Sequence, residues 1–454
     1  LGRVMYNYDN RYYISASLRA DGSSRFPKGS KYALFPSVSA SWRVISEAFM
    51  QDQDIFSDLK LRGGWGRVGN QNINNNVTLT LLSETQYYYG NTLANGYFVS
   101  TVGNNQLKWE TVEDWNVGVD MSFLDSRLGV TFEYFQKKSI DMLYQKQNIL
   151  SLGYDNWNSQ IWMNIGSMQA RGWEVGLTWR DEIGKDFSYD LGLNLSAVRN
   201  KAIKFSGDGP INVGGFNSDQ IIRNEDGGFI SRFYGYVADG LFQNWEEVYA
   251  HTDEHGTLIQ PNAKPGDIRF KDRDHNGVLD ANDKDYIGNP YPDLMMGLNI
   301  GMRYKNIDFA ANFYGTFGND IYNVTKGRYS GSGGQNVWAG TLEKAWHGEG
   351  TGNDIPRLNY SRVSSFYVED GSYLRCKLLQ IGYTLPKKWV GGADLRLSFS
   401  AQNPFTITGY SGMDPERPMV DGTTDSSGSA INTGIDNVAY PNPRTFLFGI
   451  DFKF

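Results

Sequence analysis

The chain closes on a strand whose two faces differ in kind. Within Arg444–Phe454, Phe446, Phe448, Ile450, Phe452 and Phe454 share one face, and Thr445, Gly449, Asp451 and Lys453 share the other. Leu447 is the single apolar exception on the polar side. An unpaired strand with an apolar face templates aggregation in water. A β-barrel that crosses a membrane needs such strands, with one face in lipid, one toward the lumen, and every backbone group paired by its neighbours.

The same alternation recurs along the chain. Tyr12, Ile14, Ala16 and Leu18 alternate with Tyr13, Ser15, Ser17 and Arg19. Trp115, Val117, Val119, Met121 and Phe123 alternate with Asn116, Gly118, Asp120 and Ser122. Trp173–Arg180, Asp190–Ser196, Gly297–Tyr304 and Leu395–Gln402 repeat the theme. A period of two over about 8–10 residues marks strands exposed to different environments on their two faces. The polar face is Gly, Ser, Asn, Asp and Arg, which suits a wet lumen. Aromatic residues such as Tyr12, Trp42, Trp179 and Tyr304 sit toward strand ends, as interfacial girdles require. A series of soluble β-sandwiches is the alternative, with the apolar faces forming common cores, but sandwich strands are usually shorter. The expected fold is all-β: a transmembrane antiparallel β-barrel, of which roughly 13 or 14 strands lie in this chain.

Connections alternate in length. The segments around 181–186 and 304–308 are short and polar. By contrast 68–111, 142–170, 200–292, 318–372 and 404–443 are long, rich in Gly, Asn and Tyr, and weakly periodic. Tight turns on one side and long loops on the other describe an outer-membrane barrel. Two short helices are expected inside loops, at 245–249 and 342–346. Leu1 is not an initiator and no signal peptide precedes the first strand, so the expectation is the C-terminal part of a longer protein whose missing part carries the export signal.

Composition excludes several classes. No run of apolar residues is long enough for a transmembrane helix. A net charge of -7 argues against a nucleic-acid footprint. Cys376 is the only cysteine, so no internal disulfide is available.

One segment carries metal-site chemistry. Asp272, Asp274 and Asn276 occupy ligand positions 1, 3 and 5 of a D-x-[DN]-x-[DN]-G pattern, with Gly277 at the turn. The Val278 carbonyl and Asp283 complete the set, and hard oxygen donors at this spacing suit a structural Ca²⁺. Asp in place of Glu at the last position, and the lack of flanking helices, depart from the full pattern. A solvated turn held by Asx hydrogen bonds is the other reading. His251-Thr252-Asp253-Glu254-His255 matches H-x-x-E-H, but Gly256 follows at once and no helix is expected to present both imidazoles to a zinc ion. No Gly-rich phosphate loop, nucleophile elbow or Ser/His/Asp set is present, so no catalytic residue and no organic cofactor are expected. Tyr87, Tyr88, Tyr89 and Trp157 in the long loops are candidate contacts for a substrate or partner.

Several segments then resemble one family. They are Arg19–Phe26 with Phe35–Arg43, Leu61–Gln71, Pro265–Phe270 with Ile287–Pro292, Val368–Arg375 with Gly382–Pro386, Asn403–Glu416, and Pro441–Phe446. In this order they resemble the C-terminal part of the SusC/RagA-type TonB-dependent outer-membrane transporters. The resemblance implies a 22-stranded barrel, an N-terminal plug outside this segment, and energy supplied through TonB. It also implies a SusD-like surface lipoprotein as a lid, paired transporter–lipoprotein units, and oligosaccharide or oligopeptide substrates imported across the outer membrane of a Gram-negative cell. A passive porin and a surface receptor or adhesin barrel remain the alternatives. Cys376, where the family leads one to expect an aliphatic residue, is a departure, as is Asp274-His275-Asn276-Gly277.

Overall fold

The computed structural model describes the whole chain except residues 148–159, 206–208, 217–218, 330–335, 353, 358–361, 417–430 and 438–439. Thirteen strands pair in chain order in one antiparallel sheet: β1 Gly2–Tyr8, β2 Tyr12–Gly22, β3 Tyr32–Arg43, β4 Phe56–Asn70, β5 Glu110–Phe123, β6 Leu128–Ile140, β7 Ser167–Ile183, β8 Phe187–Lys204, β9 Leu294–Tyr304, β10 Ile307–Phe317, β11 Tyr373–Thr384, β12 Asp394–Gln402 and β13 Thr445–Lys453. A fourteenth strand, Thr406–Thr408, pairs with the start of β11. Within these residues β1 pairs only with β2, and β13 only with β12, so the sheet is an arc and not a closed ring.

Burial on the sheet is inverted relative to a soluble protein. Ile14 and Leu18 of β2 are each 51% exposed, and Ile450 of β13 is 74% exposed. Ser15 and Ser17, on the opposite face of β2, are half-buried. A sandwich would bury the aliphatic side; this sheet turns it outward into the space a bilayer fills. The polar face is tied by cross-strand ion pairs. Arg62 on β4 bonds Asp120 on β5 at 3.2 Å and reaches Glu133 on β6. Arg396 on β12 bonds Asp308 on β10 at 2.5 Å, spanning β11. Gly382 of β11 makes that span possible, because a Cβ there would stand 2.5 Å from both Arg396 Nη2 and Asp308 Oδ1.

At one end the strands are joined by 9–11, 44–55, 124–127, 184–186, 305–306 and 385–393. The first of these is a two-centre turn in which Asp9 and Asn10 both have φ of 52°. That conformation matches the right-handed twist of the hairpin and tolerates Asp and Asn. At the other end run 23–31, 71–109, 141–166, 205–293, 318–372 and 403–444. The strands reach a few residues into the expected loops, because Gly69 and Asn70 still pair with Thr111 and Glu110.

These long connections fold on each other with ordinary cores. Ile221, Phe233, Ile268, Phe270, Tyr322, Val363, Tyr367 and Ile435 come from three connections and share one apolar cluster. Phe26, Ile73, Val77, Leu107 and Trp162 build a second with Phe35 and Trp109. The helix expected at 245–249 is present as α1, Trp245–Ala250, capped by the Asn244 side chain, which accepts from Glu247 N at 2.9 Å. The helix expected at 342–346 is shorter, Thr341–Lys344. It stops there because Ala345 bridges Ile355 in extended form and Trp346 N bonds Ile355 O. Cys376 faces neither lipid nor lumen. It is fully buried at the irregularity where β10 and β11 shift register.

Candidate functional site

The acidic segment lies between the short strand Ile268–Phe270 and the strand Lys284–Gly288. Its chain direction reverses through two left-handed residues, His275 at φ 57° and Gly277 at φ 80°. A Cβ on Gly277 would also meet the Asp253 carboxylate at 2.5 Å, so the position needs glycine twice over. Asp272 Oδ2 accepts from Gly277 N at 2.8 Å, and Asn276 Oδ1 accepts from Val278 N at 2.8 Å. Asp283 is fully buried, its two oxygens accepting from Arg273 N and Asp280 N at 2.7 and 2.8 Å. Asp272, Asp274 and Asp283 bring oxygens within 4.8 Å of one another. Asn276 bonds Asp274 through its amide at 3.0 Å, and the Val278 side chain lies exposed on the rim. One oxygen, Asp272 Oδ1, is buried and has no hydrogen-bond partner among the described residues.

The two histidines beside this loop stand in different surroundings. His251 follows the end of α1 and sits edge-on to Phe242, with ring centroids 5.5 Å apart. Burial pushes its imidazole below the ordinary histidine range. His255 is 79% exposed on a turn that Asp253 holds by accepting from the His255 and Thr257 amides.

Tyr87, Tyr88 and Tyr89 belong to a different connection. They end the strand Leu81–Tyr89, which pairs with Thr92–Thr101 in an isolated hairpin. All three rings are exposed, and Tyr87 and Tyr89 meet edge-on on one side at 6.5 Å. Leu82, Leu93 and Tyr97 of the hairpin are exposed as well, and Glu84 is the only charged residue from Leu81 to Thr101. The sequence expectation for Trp157 lies outside the described residues.

A third feature escaped the sequence reading. Arg375, near the loop end of β11, is 5% exposed at its side chain and bonds Asp414, itself 2% exposed, at 2.6 and 3.3 Å. Its Nε donates to Thr406 Oγ1 at 2.8 Å, and its Nη1 also reaches Glu416. Glu416 pairs with Lys377, and Asn442 N donates to Asp414 at 2.9 Å. Burial alone would raise the Asp414 carboxyl. The Arg375 guanidinium and the Asn442 and Glu416 amides outweigh it and hold the group below the usual aspartate range. Nearby, Glu369 accepts from Ser411 N and Oγ, and Tyr410 donates to Asp436 at 2.6 Å. The network ties the segments 368–375, 409–416 and 441–443 together where sheet becomes loop. The available signal was a lone Arg between Leu374 and Cys376, with Asp-Pro-Glu free to meet it.

Comparisons with known proteins agree with this architecture. Residues 2–403 match the family described as TonB dependent receptor-like, beta-barrel. The whole chain aligns with TonB-dependent receptor P3 of Formosa agariphila at 34% identity, covering 45% of that protein. It aligns with TonB-dependent receptor SusC of Bacteroides thetaiotaomicron at 31% identity, covering 43%. It superposes over its full length on the RagAB peptide transporter with a TM-score of 0.79 and 24% identity, covering 46% of that chain, a likeness of fold. The chain thus spans less than half the length of these relatives. The outward aliphatic faces, the polar inner wall and the one-sided long connections are those of an outer-membrane barrel, and the chain belongs to the TonB-dependent receptor β-barrel family.

Proposed function

We propose that this chain is the C-terminal barrel portion of an active importer of oligosaccharides or oligopeptides. The importer is energised through TonB and covered by a SusD-like surface lipoprotein. The observation that carries the reading is the combination of a lipid-facing sheet with folded connections gathered at one end. A passive porin has no need of loops that share buried cores such as that of Phe233, Tyr322, Val363 and Ile435. The Leu81–Thr101 hairpin supports the lid. A nearly uncharged ribbon with exposed Tyr87, Tyr88, Tyr89 and Tyr97 is costly to leave in water and has the aromatic composition of a protein interface. The chain has no catalytic role in this reading. Purification of the natural complex in mild detergent, followed by mass spectrometry, tests it. A stoichiometric lipoprotein that dissociates when Tyr87, Tyr88 and Tyr89 become serine supports the lid, whereas a barrel alone or self-associated overturns it.

We also infer a structural Ca²⁺ on Asp272, Asp274, Asn276, Asp283 and the Val278 carbonyl. Three converging carboxylates and the unpartnered Asp272 Oδ1 fit a hard cation. A bound Ca²⁺ would offset two of the three carboxylate charges and fix the loop that leads into the Lys284–Gly288 strand. Terbium luminescence sensitised by nearby aromatic rings, lost in Asp272→Asn, is the expected result. No terbium binding at micromolar concentration refutes the site.

A further inference from the structure

We propose that the outward face of β4–β8, at the end nearest the long connections, binds the phosphate groups of the outer-leaflet glycolipid, lipopolysaccharide. Such binding is separate from import and requires only the barrel's place in the outer membrane. The register carries the lipid-facing Ile14 across to Ala40, Gly63, Val117, Tyr134 and Trp173, so these residues share one side of the wall. Along β7 that side reads Trp179, Leu177, Val175 and Trp173, and then changes to Arg171 and Gln169. Along β8 it reads Leu191, Leu193, Leu195 and Ala197, and then Arg199 and Lys201. From Trp179 to Arg171 the strand climbs about 26 Å, or about 20 Å across a bilayer at a tilt of about 40°, which puts the change at the outer edge of the apolar band.

Two rows across five strands follow the change. The nearer row is Trp65, Trp115, Gln136, Arg171 and Arg199, and the farther is Arg67, Glu113, Lys138, Gln169 and Lys201. Five cations thus share the patch with a single carboxylate, on a chain of net charge -7. Glu113 accepts from Arg67 at 2.9 Å and from the Trp65 indole at 3.1 Å, and faces Lys138 across the strand pair. Asp293, from a long connection, pairs with Arg199. Arg171 and Lys201 are exposed and form no ion pair among the described residues. Arg171 stands directly opposite Arg199, an arrangement of like charges that costs stability unless an anion joins them. At the same two levels β2 and β3 carry Ala16, Leu18, Val38 and Pro36, so the charge is local to β4–β8 and is not a property of the whole rim.

Position and spacing select the ligand. A soluble acidic partner would have to reach a wall that borders acyl chains, whereas a lipid headgroup lies there already. Arg171, Arg199 and Lys201 sit on two adjacent strands with their Cβ atoms within about 8 Å, and Lys138 lies about 10 Å from Lys201 across β7. A phosphate accepts from a guanidinium fork and an ammonium at once. Tyr134 and Trp173, one level deeper, set amphipathic rings at the boundary between headgroup and acyl chain.

The test uses the full-length natural protein with its partners, in a non-ionic detergent, and native mass spectrometry. The probes are a short-chain lipopolysaccharide, the same glycolipid stripped of phosphate, and phosphatidylglycerol. We expect the lipopolysaccharide to bind best. Arg171→Gln and Lys201→Gln should each weaken its binding about tenfold, the effect of one charged hydrogen bond, with heat-modifiable mobility on gels unchanged. Lys185→Gln and Lys388→Gln, which remove the same charge from the short turns, should leave the affinity as it was. Equal affinity in the patch variants and the natural protein, equal binding of the stripped glycolipid, or tighter binding of phosphatidylglycerol would overturn the proposal. Release of the lipoprotein or of a second barrel by the patch substitutions would overturn it too, and would make the patch a protein interface.

Discussion

Replacing Arg375 by Met removes a charge at the junction between sheet and loops while keeping most of the side chain's volume. Arg375 and Asp414 are 5% and 2% exposed, so water cannot take over the lost contacts without opening the fold. The substitution deletes two bonds to Asp414, one to Glu416 and one to Thr406. Glu416 keeps Lys377 and Asn442, and is 20% exposed, so its loss is small. Among the described residues Asp414 keeps only backbone amides from Glu416 and Asn442, and it becomes a buried, uncompensated carboxylate. Removing one partner of such a pair costs about 3–5 kcal/mol. At about 1.4 kcal/mol per decade, the opening equilibrium should rise by roughly 10² to 4 × 10³. Hydrogen exchange reads this directly at the Glu416 and Asn442 amides, both bonded to Asp414. Strand amides of β5 and β6, remote from the junction, serve as the internal reference. The double variant Arg375→Met with Asp414→Leu should recover much of the loss, because no buried charge is then left alone. A change under about threefold in the single variant would refute the reasoning and show that the ion pair is no more than breaking even.

Three further outcomes are expected. Ile14→Lys places a charge on the lipid face and should cost up to about 2–4 kcal/mol, depending on depth, whereas Ser15→Lys on the wet face should cost little; folding yield into lipid vesicles compares them. Gly382→Val forces apart the Arg396–Asp308 pair across β11, an overpacking cost of about 1–3 kcal/mol, seen as a lower temperature for loss of heat-modifiable mobility. Asp414, whose carboxyl is held below the ordinary aspartate range in the folded state by Arg375 and two backbone amides, contributes stability that is present above the unfolded value and lost as pH falls through the lowered folded value. Exchange at Asn442 should therefore stay flat from neutral pH to about pH 4 after correction for intrinsic rates, and accelerate only below it. Acceleration already between pH 7 and 5 would contradict that assignment.

What the sequence made legible followed one rule. Wherever a strand met two solvents, its residues alternated, so Ile14 against Ser15 and Val117 against Gly118 could be placed without coordinates. The acidic loop was legible for a related reason: its turn needs glycine at 277, and its carboxylates bond amides within ten residues along the chain. Contacts across long separations were not legible. Arg375 and Asp414 lie 39 residues apart, and no local period links them. Arg362 and Tyr236 lie 126 residues apart and meet only because two connections converge. The second helix was overestimated because its last residues pair with Ile355, a partner that propensity cannot see.

The inversion of burial explains why the junction carries so many ionic contacts. Below it, aliphatic groups face outward and gain nothing from one another in water. Above it, Phe233, Tyr322 and Ile435 face inward and cohere as in any soluble domain. A chain passing from one regime to the other must turn its apolar side around, and over that interval neither lipid nor core can hold it. Directional bonds are what remain. Arg375 to Asp414, Glu369 to Ser411 and Tyr410 to Asp436 all fall in this interval. On this argument, substitutions there should loosen the loops while leaving the barrel wall intact. Substitutions such as Ile14→Lys should do the reverse.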